Sequence, residues 1–130
     1  MTAARQELGR IAEELVGRRL QGAGWTLVDR NVRTSGVGVR GELDLIALDG
    51  PALVFVEVKA RRAGSARGPE TPAMAVGPRK RARLRGLAAA WLRERAYDVP
   101  RHRELRFDVV GLRLDAAGRP VEYEHLRGAL

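Results

Sequence analysis

The chain of 130 residues contains no cysteine. That excludes a disulfide framework and a thiolate metal site. No apolar run is long enough to span a bilayer. The N-terminal Met1-Thr2-Ala3-Ala4-Arg5-Gln6-Glu7 lacks the apolar core of a secretion signal. A soluble, cytoplasmic protein with no membrane partner is expected. Lysine is also scarce: only Lys59 and Lys80 occur, and arginine supplies the rest of the 24 basic residues. Set against 16 acidic residues, these give a net charge of +8. A basic surplus favours polyanionic partners through counterion release, and arginine suits bidentate phosphate contact. Arginine in place of lysine also follows from genomic composition, so charge favours nucleic acid without deciding it.

The length suits one domain over residues 1–130. A hydrophobic content of 45% is enough for a packed core. The most informative stretch is Gly41 to Lys59. Gly41-Glu42-Leu43-Asp44-Leu45-Ile46-Ala47-Leu48 and Leu53-Val54-Phe55-Val56-Glu57-Val58-Lys59 read as strands, with Asp49-Gly50-Pro51-Ala52 as the turn between them. Strand residues two apart share a face, so Glu57 and Lys59 project together, as do Glu42 and Asp44. If Leu48 pairs with Leu53 around a four-residue loop, Asp44 lies opposite Glu57. Opposed like charges destabilise a sheet. A bound divalent cation offsets them, and hard cations such as Mg²⁺ take oxygen ligands. A one-residue slip would move the carboxylates to opposite faces.

The rest of the chain frames this hairpin. Residues Ala3 to Ala23 read as a helix whose apolar face holds Leu8, Ile11, Ala12, Leu15 and Val16. Glu13 sits at the edge of that face. Trp25 to Arg30 reads as a short strand, and Asn31 to Arg40 as a loop or frayed strand extension. Ala60 to Gly77 is rich in Gly, Pro, Ala and Arg, including Arg61, Arg62 and Arg67, and reads as a long loop after Lys59. Pro78 opens a second helix running to Arg95, with Leu84, Leu87, Ala88, Trp91 and Leu92 as its apolar face. Arg79, Lys80, Arg81, Arg83 and Arg85 crowd its first turns. Cations there oppose the helix dipole but suit phosphate. Leu105 to Leu114 and Val121 to Leu126 read as further strands. His102 and His125 lie in no metal-ligand spacing and are expected at the surface or in structural roles. The order of elements predicts an α/β sandwich, a central mixed β-sheet flanked by helices.

Phosphodiester hydrolysis needs an activated water, neutralisation of growing phosphate charge and a stabilised leaving oxygen. Carboxylate-held Mg²⁺ or Mn²⁺ meets these needs. Asp44 and Glu57 are the candidate ligands, with the Val58 backbone carbonyl as a further oxygen. Lys59 would orient water or neutralise phosphate; the direction of its pKa shift stays open. Arg40, Arg61, Arg62, Arg79, Lys80 and Arg81 are candidate nucleic-acid contacts.

Asp44 with Glu57-Val58-Lys59 resembles the PD-(D/E)xK motif of restriction-endonuclease-like nucleases. The similarity is closer to the bacterial YraN family of endonuclease-like proteins and runs over nearly the whole chain. It includes Gly9-Arg10-Ile11-Ala12-Glu13, Gly24-Trp25, Arg30-Asn31-Val32-Arg33, the two hairpin strands, Ala75-Val76, Lys80 and Arg106-Phe107-Asp108-Val109-Val110. Archaeal Holliday-junction resolvases are similar in placing a helix glutamate, an aspartate and Glu-x-Lys at comparable spacing. The resemblance implies a restriction-endonuclease-like core, and the likeness to resolvases concerns that shared core alone. The leading expectation is a metal-dependent DNA endonuclease acting on branched or damaged DNA. The resemblance also implies Glu13 as a further metal or water contact and Lys80 as a phosphate contact. Two departures stand out: Leu43 replaces the motif proline, and Met74 stands where family members often carry an acid. Cutting both strands symmetrically needs two sites, which would be met by a homodimer. The competing readings are a non-catalytic nucleic-acid-binding module on the same core, and a structural protein whose charged pairs are ion pairs on a sheet.

Overall fold

The computed structural model describes residues 3–36, 39–64 and 77–129. Its elements are α1 (Ala3–Gly22), β1 (Thr26–Gly36), β2 (Val39–Asp49), β3 (Ala52–Arg62), α2 (Pro78–Glu94), β4 (Glu104–Leu114) and β5 (Pro120–Leu126). Segment 65–76, with Arg67, Met74, Ala75 and Val76, lies outside the described residues.

The strands form one sheet in the order β1-β2-β3-β4-β5. Pairing is antiparallel except between β3 and β4, which run parallel. A parallel pair requires a crossover, and α2 lies within it. The sheet is therefore mixed, and the two helices cover opposite faces. On one face Ala12, Val16 and Leu20 of α1 pack on Leu45, Ala47, Val54, Val56, Val110 and Leu112. On the other, Leu84, Leu87, Ala88 and Trp91 of α2 pack on Leu43, Ile46, Leu53, Phe55 and Val109. This is the expected α/β sandwich. Strands covered on both faces read as continuous apolar runs, which explains why Leu53 to Val56 shows no alternation. No helix among the described residues is long and apolar enough to cross a membrane.

Three local expectations change. The first strand is not short; of the two readings of the segment after Arg30, a loop or a strand extension, the extension holds, and the strand ends at Gly36. It is an edge strand, paired on one side with β2 alone, and polar side chains are usual on such edges. The hairpin turn is tighter than a four-residue loop. Leu48 does pair with Leu53, but Asp49 also pairs with Ala52, leaving Gly50 and Pro51 as the turn. Gly50 takes a φ of 56°, which glycine adopts without a Cβ penalty. Ile11, expected on the apolar face of α1, is 38% exposed because the sheet meets the helix along Ala12, Val16 and Leu20 instead.

Candidate active site

The hairpin register that places Asp44 near Glu57 holds, and the ladder stops just before the two would pair. The last β2–β3 pair at this end is Leu45 with Val56. Beyond it, β3 continues against β4 alone, through the Arg62–Leu114 pair. The side chain of Asp44 takes over: the Val58 backbone N–H donates to Asp44 Oδ2 at 2.9 Å. A strand residue's N–H and C=O point toward the same neighbour. The Val58 carbonyl therefore faces the gap that Asp44 occupies.

Four of the expected residues meet here. The Asp44 and Glu57 carboxylates lie within hydrogen-bonding reach of each other, and Glu13 reaches Asp44 from α1. Lys59 shares the face of Glu57, as strand alternation requires, and lies against Lys80. Glu57 is buried, with only 5% of its side chain exposed, and Lys80 Nζ lies 2.5 Å from Glu57 Oε2. Leu43, Phe55, Leu84 and Phe107 line the small cavity beside Asp44 and Glu57, so the carboxylates sit against apolar walls.

Burial and the Glu57 carboxylate push the Asp44 carboxyl up to about 9, against the lowering effect of the Val58 N–H. Glu13 is also raised, first by burial and then by Glu42 and Glu57, while its contact with Asp44 opposes the shift. Lys59 is held below its ordinary value, first by burial and then by the neighbouring Lys80 ammonium, with Glu57 and Asp44 pulling the other way. This gives the direction that composition and spacing left open.

The candidate phosphate contacts separate into groups. Arg79 and Arg81 are exposed on the first turns of α2, Arg62 and Arg40 are exposed on their strands, and Arg61 is half-buried on β3. Lys80 is different: it turns inward onto Glu57.

A family model, "Uncharacterised protein family UPF0102", matches residues 12–112. The chain belongs to this family. UPF0102 is the YraN family whose motifs the sequence resembles. A UPF0102 protein of Streptomyces coelicolor is 45% identical over 96% of this chain and 89% of its own length. One from Streptomyces griseus subsp. griseus is 45% identical over 96% of this chain and 97% of its own. One from Arthrobacter sp. (strain FB24) is 46% identical over the same shares.

Two side chains of this UPF0102 chain join the site without having been expected there. Oxygens of Glu13, Glu42 and Asp44 lie within 4.8 Å of one another. Glu42 lies two residues before Asp44 on β2, a spacing that was a usable signal. Asn31 sits between them on β1. In the amide orientation that satisfies both of its ends, its nitrogen lies 2.6 Å from Glu13 Oε1 and 3.3 Å from Glu42 Oε1. No sequence signal assigned it to the site.

A second polar cluster is structural. Asp108 is fully buried and accepts from Arg106 Nε at 2.9 Å, from Gly128 N at 3.0 Å and bonds His125 Nε2 at 2.8 Å. Arg106 also reaches Asp49 at 2.9 Å. The cluster ties the end of the chain to the hairpin turn, and gives His125 the structural role expected of it.

Proposed function

We propose that the protein is a Mg²⁺- or Mn²⁺-dependent endonuclease that hydrolyses DNA phosphodiester bonds. The observation that supports this best is the crowding of Asp44 and Glu57 in a partly dry pocket, with Glu13 on one side and Lys59 on the other. The donor set fits a hard divalent cation: carboxylate oxygens, a strand carbonyl and no sulfur ligand. Asp44, Glu57 and the Val58 carbonyl would hold the ion, with Glu13 as a further ligand or water contact. When bound, the cation supplies Lewis acidity and lowers the pKa of its water. Lys59, with its proton affinity reduced first by burial and then by Lys80, would orient the attacking water and take up a proton at its Nζ. The exposed Arg79 and Arg81, with Arg40, Arg61 and Arg62, supply positive charge for the phosphate backbone, in a chain of net charge +8. Symmetric double-strand cleavage would require a homodimer.

One contact favours the binding-module reading. Lys80 already neutralises Glu57 at 2.5 Å without any cation. A test of both readings incubates the protein with duplex, flap, single-stranded and four-way-junction DNA in Mg²⁺ or Mn²⁺. Cleavage of at least one substrate is expected, with loss in Glu57→Gln and Lys59→Ala. Cleavage that persists in both variants would rule out this site. Salt-sensitive DNA binding without cleavage, and with no heat of Mn²⁺ binding, would favour the module.

A further inference from the structure

We propose that Asn31 is a positioning residue that fixes Glu13 at Asp44, thereby joining α1 to the sheet at the candidate site. This deepens the nuclease reading and rests on it where metal and turnover are concerned.

The backbone makes an exception for Asn31. Its immediate neighbours keep one register, with Arg30 paired to Leu45 and Val32 paired to Leu43. The Asn31–Asp44 pair between them is missing from the ladder. Asn31 has a φ of 50°, and it is the one non-glycine among the described residues at positive φ. Asparagine is among the few residues that occupy this region readily. β1 also carries a bulge between Leu27 and Asp29, but from Asp29 to Gly36 the register is constant, and a strained conformation within that stretch points to a function for the side chain it turns.

The strand opposite changes face at the same level. Leu43 belongs to the core under α2, whereas Leu45 belongs to the core under α1. In a regular strand these two would point the same way. Asp44 lies between them, released from the ladder on both of its sides. The irregularity therefore frees Asp44 to reach Glu57, and brings the Asn31 amide beside the carboxylates.

The contacts of the amide then follow. Its two N–H groups face Glu13 Oε1 at 2.6 Å and Glu42 Oε1 at 3.3 Å. Glu13 is half-buried on α1, and among the described residues the charged groups acting on it are the carboxylates of Asp44, Glu42 and Glu57. Asn31 supplies a neutral donor that holds the carboxylate without cancelling its charge. A lysine or arginine in its place would compete with a cation for the same oxygens. An aspartate would keep the backbone preference and lose the donor, adding a further negative charge to the group.

The experiment separates backbone from side chain. Asn31→Gly keeps positive φ accessible and removes the amide; Asn31→Asp keeps the shape and removes the donor. Each is made alone and with Glu13→Ala, and followed by Mn²⁺ calorimetry and cleavage rate. Both single variants are expected to lose about 10–100-fold in Mn²⁺ affinity or rate, the usual effect of removing a residue that orients a ligand. In the Glu13→Ala background they are expected to cost little more, because the effect passes through Glu13. Equal costs in the two backgrounds would overturn the proposal, as would wild-type affinity and rate in Asn31→Gly. A spectroscopic readout on the metal-free protein stands apart from the nuclease reading. The ¹⁵N-bound side-chain protons of Asn31 are expected to be shifted from free-amide values and to return to them in Glu13→Ala. If that shift is present while the wild type binds no metal, the nuclease reading fails and the Asn31–Glu13 link stands. If the shift is absent, the link itself is wrong, whatever the activity.

Discussion

Lys80, on the first turn of α2, sits with its ammonium 2.5 Å from a carboxylate oxygen of Glu57 near the middle of β3. One of the two lysines in the chain thus serves as an internal counter-charge for a buried acid, and the other, Lys59, lies beside it. Glu57 is 5% exposed and Lys80 29% exposed, so the acid depends on the pair more than the base does.

Replacing Lys80 should therefore be costly. Removing one partner from a fully buried pair costs about 3–5 kcal/mol, and partial exposure of Lys80 reduces that to about 2 kcal/mol. Lys80→Met, which keeps most of the aliphatic stem, is expected to lower the unfolding free energy by this amount in urea at pH 7 without a cation. A loss no larger than that of the exposed Arg79→Met would show that the pair contributes little.

The carboxylates predict an unusual pH dependence. Burial, then Glu57, raises Asp44 to about 9, so the folded chain keeps a proton that the unfolded chain releases above its ordinary value of 3.8. Stability from this group is present at low pH and declines as pH rises from about 4 toward 9. Glu13, raised first by burial, acts in the same sense. In chelator at pH 8, Asp44→Asn is expected to be more stable than the wild type by on the order of 1 kcal/mol or more, the equivalent of about one pKa unit. The difference should vanish near pH 4. Unfolding curves across that range check it, and a wild type that gains stability steadily up to pH 9 would contradict it.

Asp108 should show the opposite slope. Burial alone would raise it, but His125, Arg106 and the Gly128 N–H outweigh that and hold it below its ordinary value. Its contribution is present above about pH 4 and is lost as pH falls through the lowered value. Asp108→Asn leaves Arg106 with a neutral neighbour in a closed site and is expected to cost about 3 kcal/mol at pH 7. Thermal unfolding at pH 7 and at pH 3 should show the gap to the wild type shrinking in acid.

Much of this architecture was legible in residue patterns. The apolar run Leu53 to Val56 marked a strand covered on both faces, and Pro78 marked the start of α2. Leu48–Leu53 pairing followed from the turn, and it brought Asp44 and Glu57 together as charge patterning implied. What escaped was set by tertiary geometry. A polar stretch from Asn31 onward reads equally as a loop or a strand extension, and only its place at the sheet edge decides between them. The inward turn of Lys80 depends on where α2 docks relative to β3. The role of Asn31 depends on a single backbone angle, which no hydrophobic period encodes.

The 2.9 Å bond from the Val58 N–H to Asp44 Oδ2 gives one side chain two duties. It closes the seam where β2 and β3 part, and it offers the oxygens that would receive a ligand. Chemistry and mechanical closure share one carboxylate. A ligand that takes Oδ1 leaves the seam fastened, whereas one that draws Oδ2 away unbuttons the sheet at the point where it already forks.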